Sequence, residues 1–229
     1  MTAVRPAGGA VLCLVTPGPA GPSVNAPRQR EEALDALVRD AVAERIDLVQ
    51  IREPDLPARQ LAEIVARAVQ ASRGTATRIL VNDRVDVALA AGADGVHLGT
   101  RSLPARRVRE ITPPSFLVGR SIHSGEEARD LAADPAIDYL IAGTVFPSRS
   151  KPEQSHFLGP DGLAAIVRSV RIPVLAIGGI SLDNIASIAR AGASGFAAIR
   201  LFADAVAGSR LRDVVTAARK AFDTARAIS

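Results

Sequence analysis

The chain reads as a single-domain α/β protein, a closed (β/α)8 TIM barrel, on three observations. Eight short apolar or β-branched runs alternate with helical patterns, no shift in composition divides them, and polar residues stand at nearly every strand exit. At 229 residues the chain is close to the ~250 typical of such barrels. An open doubly wound sheet is the alternative, but it rarely carries eight consecutive units of this regularity.

The elements follow in order. Val11–Val15 reads as the first strand, 16–27 as a loop rich in Gly and Pro, and Arg28–Glu44 as a helix through Leu34, Leu37, Val38 and Ala41. Strand Ile46–Ile51 precedes helix Leu56–Ser72, and strand Ile79–Val81 precedes helix Val85–Ala91. Strand Gly95–Leu98 is followed by helix Pro104–Ile111, and strand Phe116–Gly119 by helix Gly125–Ala133. After strand Asp138–Ala142 a long loop leads to helix Asp161–Val170. Strand Ile172–Ile177 runs into Gly178-Gly179, with helix Leu182–Ala191 behind it. Strand Gly195–Ile199, closed by Arg200, and helix Leu211–Ala227 complete the set. Gly-Ala-Asp-Gly at 92–95 and Gly-Ala-Ser-Gly at 192–195 form a weak internal echo at matching helix-to-strand turns.

Composition narrows the function classes. A hydrophobic content of 48% is ample for one core, and no apolar run approaches the ~20 residues that span a bilayer. Residues 10–15 are too short for the core of a signal peptide. The single cysteine, Cys13, rules out an internal disulfide and reads as buried filler. A cytoplasmic protein without membrane contact is expected. The net charge of +4 comes from arginine, since lysine occurs only at Lys151 and Lys220. Few aromatics and no nucleic-acid motif argue against DNA or RNA as partner, despite the dense patch from Arg101 to Arg109. An anionic small molecule accounts for the bias as well.

The strand exits carry Gln50-Ile-Arg52-Glu53, Asn82-Asp83, His97-Leu-Gly99, Ser121-Ile-His123-Ser124, Gly143-Thr144 and Gly178-Gly179, with Arg200 at the last. Residues two apart share a face of a strand, so these side chains converge on one site. The paired glycines between a buried strand and a helix start suit a phosphate, because backbone can approach closely and bare N–H groups point at the anion. A plain tight turn is the competing reading of that dipeptide.

These strand ends resemble the thiamine phosphate synthase/TenI family. The matching pieces are Val49-Gln50-Ile-Arg52-Glu53, Val81-Asn82-Asp83-Arg84-Val85-Asp86 and Gly92-Ala-Asp-Gly95-Val-His97-Leu-Gly99. Gly119-Arg-Ser121-Ile-His123-Ser124, Gly143-Thr-Val-Phe-Pro147-Ser-Arg-Ser-Lys151 and Ala176-Ile-Gly178-Gly179-Ile180 follow in the family's order. The resemblance implies a thiazole phosphate in the barrel, with its phosphate at Gly178, Gly179 and the amides ending the eighth strand. It also implies a homodimer.

Two activities share this scaffold. The synthase joins an aminopyrimidine diphosphate to the thiazole phosphate and releases pyrophosphate, a Mg2+-dependent step. Its metal carboxylates resemble Asp83 here, but the second aspartate position holds Ser102 beside Arg101, and a lysine position of the second strand end holds Pro54. Lys151 with Ser148 and Ser150 resembles the synthase's pyrophosphate loop. The TenI-type thiazole tautomerase shifts a proton to make the ring aromatic and uses no cofactor. Ser-Ile-His-Ser resembles the motif carrying its catalytic histidine, His123, and histidine suits a group that gives and takes protons near neutrality. The alternative for His123 is a helix N-terminal residue bonding Ser124 or Glu126. The tautomerase is the favoured expectation, with Gln50, Arg52, Asn82, Ser121, Ser148, Ser150 and Lys151 lining the pocket. The alternatives are the synthase, with Mg2+ at Asp83, and a binder without chemistry. Arg200 replaces the family's usual serine, and either neutralises the phosphate or crowds its seat.

Overall fold

A computed structural model describes residues 9–18, 27–148 and 157–228. Eight parallel strands close into a barrel in sequence order, β1 (Val11–Val15), β2 (Leu48–Ile51), β3 (Arg78–Asn82), β4 (Gly95–Leu98), β5 (Leu117–Ile122), β6 (Tyr139–Gly143), β7 (Val174–Ile177) and β8 (Gly195–Ala198). Helices α1 (Pro27–Ala43), α2 (Ala58–Ser72), α3 (Val85–Ala91), α4 (Ala105–Glu110), α5 (Gly125–Ala132), α6 (Gly159–Ser169), α7 (Ile185–Arg190), α8 (Arg200–Ala207) and α9 (Leu211–Ala227) alternate with them.

The strands lack polar alternation because both faces are covered. One face fills the barrel with Val11, Cys13, Val15, Leu48, Leu80, Leu117, Tyr139, Ile141, Leu175 and Ala197. The other packs under the helices, where Leu12, Leu14, Val49, Ile51, Ile79, Val81 and Val96 join a single large core. Helix α9 presents Leu211, Val215, Ala218, Phe222 and Ala225 as one buried stripe and packs on α7. Cys13 is wholly buried in the barrel, as expected, and burial pushes its thiol far up, so it stays protonated.

The foot of the barrel repeats one device. Asp47, Asp94 and Asp138 immediately precede β2, β4 and β6. Each turns its carboxylate back to accept from the first amides of the preceding strand, Leu12 N–H at 2.8 Å, Ile79 N–H at 2.8 Å and Val118 N–H at 2.7 Å. Each also faces an arginine, Arg219, Arg78 and Arg109 respectively. These amides begin a parallel strand and have no ladder partner of their own, so the carboxylates satisfy them. Asp138→Ala leaves Val118 N–H and Arg109 Nη2 without their acceptor, while the rest of the Arg109 guanidinium keeps Ala136 O and Phe116 O. A loss of about 1–2 kcal/mol is expected, read as a lower midpoint in urea with unchanged slope.

Several boundaries differ from the sequence reading, most by one or two residues, and four are informative. Strand β2 starts at Leu48, not Ile46, because Arg45 sits in a left-handed turn (φ 56°) that Ile46 N–H closes onto Ala41 O. Strand β5 runs on to Ile122, which places Ser121 inside the sheet. Helix α7 starts at Ile185 rather than Leu182, because Asn184 ties down the turn before it, accepting from Ser181 N–H and donating to Gly179 O. Arg200 does not close β8, which ends at Ala198; it is the first residue of α8, a helix absent from the sequence reading that buries Phe202 and Ala205. No helix of the described residues is long and apolar enough to cross a membrane.

Candidate active site

The C-terminal strand ends gather most of the expected residues. On β2 and β3, Gln50 is buried and its amide donates to Asn82 Oδ1 at 3.2 Å, joining two strands across the mouth. Arg52 lies just above, exposed, its backbone N–H held by Thr16 Oγ1 at 2.8 Å. Glu53 is buried between Gly18 N–H and the Arg30 guanidinium, which ties the start of α1 to the end of β2. Asp83 follows Asn82 in a left-handed conformation (φ 64°), a geometry that Asp tolerates better than most side chains. Its amide bonds His97 O at 2.9 Å, and its carboxylate is exposed at the rim.

The β4–α4 loop carries Thr100, Arg101 and Ser102. The Ser102 hydroxyl accepts from Gly99 N–H at 2.7 Å and so holds its own turn together. From β5, Arg120 points outward and donates to Leu103 O and Thr100 O, clasping the same loop from outside. Among the described residues no three His, Cys, Asp or Glu side chains come together as a metal cluster.

His123 lies one residue beyond β5, exposed, before the N-cap Ser124 that accepts from Glu127 N–H. Its backbone N–H bonds the Glu127 carboxylate at 2.6 Å. Its ring turns away from that helix, and Nδ1 lies 2.6 Å from Gly143 O. A carbonyl oxygen only accepts, so Nδ1 carries the proton and Nε2 is left as the nitrogen that exchanges one. The main chain of His123 belongs to the helix start, bonded to Glu127 rather than to Ser124 or Glu126, and its imidazole turns to the end of β6. Gly143 pairs with Ile177, the residue before the paired glycines, so the ring sits two strands from the expected phosphate seat.

That seat is a cavity of about 270 Å³ lined by Pro147, Ser148, Gly178, Gly179, Ile199 and Arg200, with Ile177, Ile180, Ala197, Ala198 and Leu201 completing the wall. Among the described residues, Arg200 is the sole charged side chain in this lining. No side chain caps the N-terminus of α8, which leaves its first amides directed at the same end of the barrel. Gly178 (φ 100°) and Gly179 (φ 65°) adopt backbone conformations that favour glycine. They are also sterically required: a Cβ on Gly178 would lie 2.3 Å from Thr144 Cγ2, and one on Gly179 2.4 Å from Pro147 O. The dipeptide is thus a tight turn packed on residues 144–147 that also forms one wall of the cavity.

A family profile described as thiamine monophosphate synthase (TMP-TENI) matches residues 23–202. The chain belongs to that family. It is 42% identical over 187 residues to the thiamine-phosphate synthase of Moorella thermoacetica, covering 80% of this chain and 89% of the relative. The thiamine-phosphate synthase of Pyrococcus furiosus is 42% identical over 162 residues, covering 71% of this chain and 77% of the relative. The solved thiamine phosphate pyrophosphorylase from Pyrococcus furiosus is similar in structure, with TM-score 0.72 and 32% identity over 93% of this chain and 96% of that one. The thiamine phosphate synthase/TenI barrel is therefore an enzyme of thiamine biosynthesis.

Within this thiamine phosphate synthase/TenI chain, Ser150, Lys151 and His156 fall outside the described residues. His97, at the end of β4, is buried at 3% exposure. It also touches the site, with Nε2 2.8 Å from Ser121 Oγ and Nδ1 3.3 Å from the Tyr139 hydroxyl. Tyr139 was absent from the sequence reading. Its signal was Gly119, the register partner of both His97 and Tyr139, where a side chain would have kept them apart.

Proposed function

We propose that the chain is a thiamine-phosphate synthase, a single-domain cytoplasmic enzyme that couples an aminopyrimidine diphosphate to a thiazole phosphate. The observation that carries the reading is the 42% identity to a thiamine-phosphate synthase across four fifths of the chain. The geometry supports a division of labour. Gly178, Gly179, the α8 amides and Arg200 take the thiazole's phosphate, and Gln50, Asn82 and Ser121 orient the rings inside the mouth. Arg52 at the rim receives the diphosphate, and Ser148, Ser150 and Lys151 join it on the family resemblance, the last two lying outside the described residues. The thiazole nitrogen bonds the exocyclic methylene carbon of the pyrimidine, the carbon–oxygen bond to the diphosphate breaks, and pyrophosphate leaves with the electron pair.

Among the described residues Asp83 is an exposed carboxylate that joins no cluster of three metal-ligating side chains, so it does not make a resident metal site. It fits a Mg2+ that arrives on the diphosphate, since Mg2+ is commonly held by one or two carboxylates plus substrate phosphates. When bound there, Mg2+ neutralises charge on the departing pyrophosphate. On the protein side, Asp83 holds the rim end of that substrate while Arg52 and Lys151 balance its remaining charge.

A second reading, the thiazole tautomerase, has its own observations. The Ser102 hydroxyl is committed to Gly99 N–H, and Pro54 stands where the synthases carry a lysine. The His123 ring is oriented by Gly143 O with Nε2 as its exchanging nitrogen. In that reaction Nε2 moves a proton on the carboxythiazole ring, and the phosphate seat serves unchanged.

Two incubations separate them, one with thiazole phosphate, aminopyrimidine diphosphate and Mg2+ followed by mass, the other with the non-aromatic carboxythiazole phosphate followed by NMR. Mg2+-dependent thiamine phosphate formation, reduced about 100-fold or more in Asp83→Ala, is the expected result. Absence of coupling together with aromatisation that disappears in His123→Ala would overturn it in favour of the tautomerase.

A further inference from the structure

Three polar groups inside the barrel form a chain that leads from the sealed core to the mouth. Tyr139 on β6 is wholly buried, His97 on β4 is 3% exposed, and Ser121 on β5 is half-buried at the level of Gln50 and Asn82. His97, Gly119 and Tyr139 are neighbours across three strands in register. Gly119 has no side chain, and a Cβ there would fall 2.1 Å from Tyr139 Cζ and 2.4 Å from its hydroxyl oxygen. The phenol therefore lies across the gap over β5 and reaches His97 Nδ1 at 3.3 Å, while Nε2 meets Ser121 Oγ at 2.8 Å.

The donor directions follow from counting protons. A phenol carries one proton, and among the described residues His97 Nδ1 is the only hydrogen-bond partner of the Tyr139 hydroxyl. Were Nδ1 protonated, the Tyr139 proton would be buried without an acceptor, at a cost of about 1–3 kcal/mol. With Nδ1 accepting, the single proton of a neutral imidazole sits on Nε2 and is donated to Ser121 Oγ. Burial, with Arg120 nearby, pushes the imidazole down to about 3, so it is neutral at any working pH. Burial also raises the Tyr139 phenol well above its ordinary value, which keeps its proton in place.

We infer that Tyr139 and His97 are positioning residues that occupy the acceptor side of the Ser121 hydroxyl and so make Ser121 an obligatory hydrogen-bond donor toward substrate in the barrel mouth. A free serine hydroxyl rotates and either donates or accepts. This one has a proton already directed at its oxygen, so its own proton is aimed outward. The site then favours a substrate atom with a lone pair at that point, a ring nitrogen or a phosphoryl oxygen, which takes the proton that His97 cannot. The inference rests on the functional reading above for the presence of a substrate at Ser121. The tautomer on which it depends exists without any ligand.

The test therefore begins with ligand-free protein. The chain has three histidines, and the His97 ring resonances are those lost in His97→Gln. Nitrogen and carbon shifts of the ring should report a neutral, Nε2-protonated imidazole unchanged between about pH 5 and pH 9. An Nδ1-protonated ring, or one that titrates in this range, would overturn the proposal whatever reaction the enzyme performs. In Tyr139→Phe, which keeps the ring and its packing, the shifts should move to a mixture of tautomers; a ring that stays purely Nε2-protonated would overturn the role of the phenol. Where coupling is observed, Tyr139→Phe should lower kcat about tenfold with KM for thiazole phosphate changed less than about twofold. That loss should vanish when Ser121 is already alanine. Equal losses in both backgrounds would mean that Tyr139 acts through packing alone, and would overturn the relay. Without coupling the tautomer still decides, so failure of the synthase reading and failure of this one are told apart.

Discussion

Replacing Gly179 with alanine is expected to destabilise the barrel by about 3 kcal/mol and to remove measurable thiazole phosphate binding. Two costs coincide there. The backbone is left-handed (φ 65°), which alone costs a non-glycine residue about 1 kcal/mol or more. The new methyl group would also meet Pro147 O at 2.4 Å and Phe146 O at 2.7 Å. Both obstacles are main-chain carbonyls, so no rotamer change relieves them, and the 144–148 segment must move away from β7. That segment carries Pro147 and Ser148 into the cavity wall. Gly74 provides the control. Its φ is 74°, yet a Cβ there meets nothing within 4 Å, so Gly74→Ala should show the conformational cost of about 1 kcal/mol and no change in binding. Urea unfolding of the two variants, with titration calorimetry of thiazole phosphate, checks both numbers. Equal stability losses in the two would show that the turn relaxes without moving the wall.

Arg200→Ala should weaken thiazole phosphate binding by about 10- to 100-fold, the range of one hydrogen-bonded charge pair at an anion. The physical ground is that Arg200 stands on the cavity wall beside both glycines, as the first residue of a helix whose amides are not capped. Arg200→Lys should recover part of the affinity, since it restores the charge but not the planar fork. If the arginine instead crowded the phosphate, the alanine variant would bind more tightly. Calorimetry with the thiazole phosphate and with its dephosphorylated alcohol separates the outcomes, because only the phosphate form should respond.

How much of this was legible in the residues depended on the kind of information needed. The barrel was, because strands buried on both faces, such as Val11–Val15, announce themselves as unbroken apolar runs between turn residues. Helix α8 was not: its eight residues follow β8 with no intervening loop, and Arg200 at its start reads as a strand end. The polar strand exits told which residues share a rim, and Gln50 with Asn82 and His123 with Gly143 do meet there. Pairing across the rim was not legible, because it depends on barrel register. Nothing in the local sequence of Gly119 says that a tyrosine twenty residues later will use its empty side. Ser102 and Pro54 carried chemical information at once, since a missing carboxylate and a missing ammonium need no coordinates to be noticed.

The acidic clamp at the foot of the barrel has a consequence for its symmetry. The clamp occurs before β2, β4 and β6, which divides the wall into two-stranded staves, each pinned at its base by one aspartate and one arginine. The fourth stave, β7 with β8, has Ser194 at the matching place, bonded through its backbone to Val174 and Val11. Its opposite end is the part that carries Gly178, Gly179 and Arg200. The fold is thus a fourfold design with one quarter set apart, three quarters anchored by charge at the base and the last, among the described residues, joined there by main chain. The acidic clamps at the base and the paired-glycine turn at the mouth fall on different staves of the same cylinder.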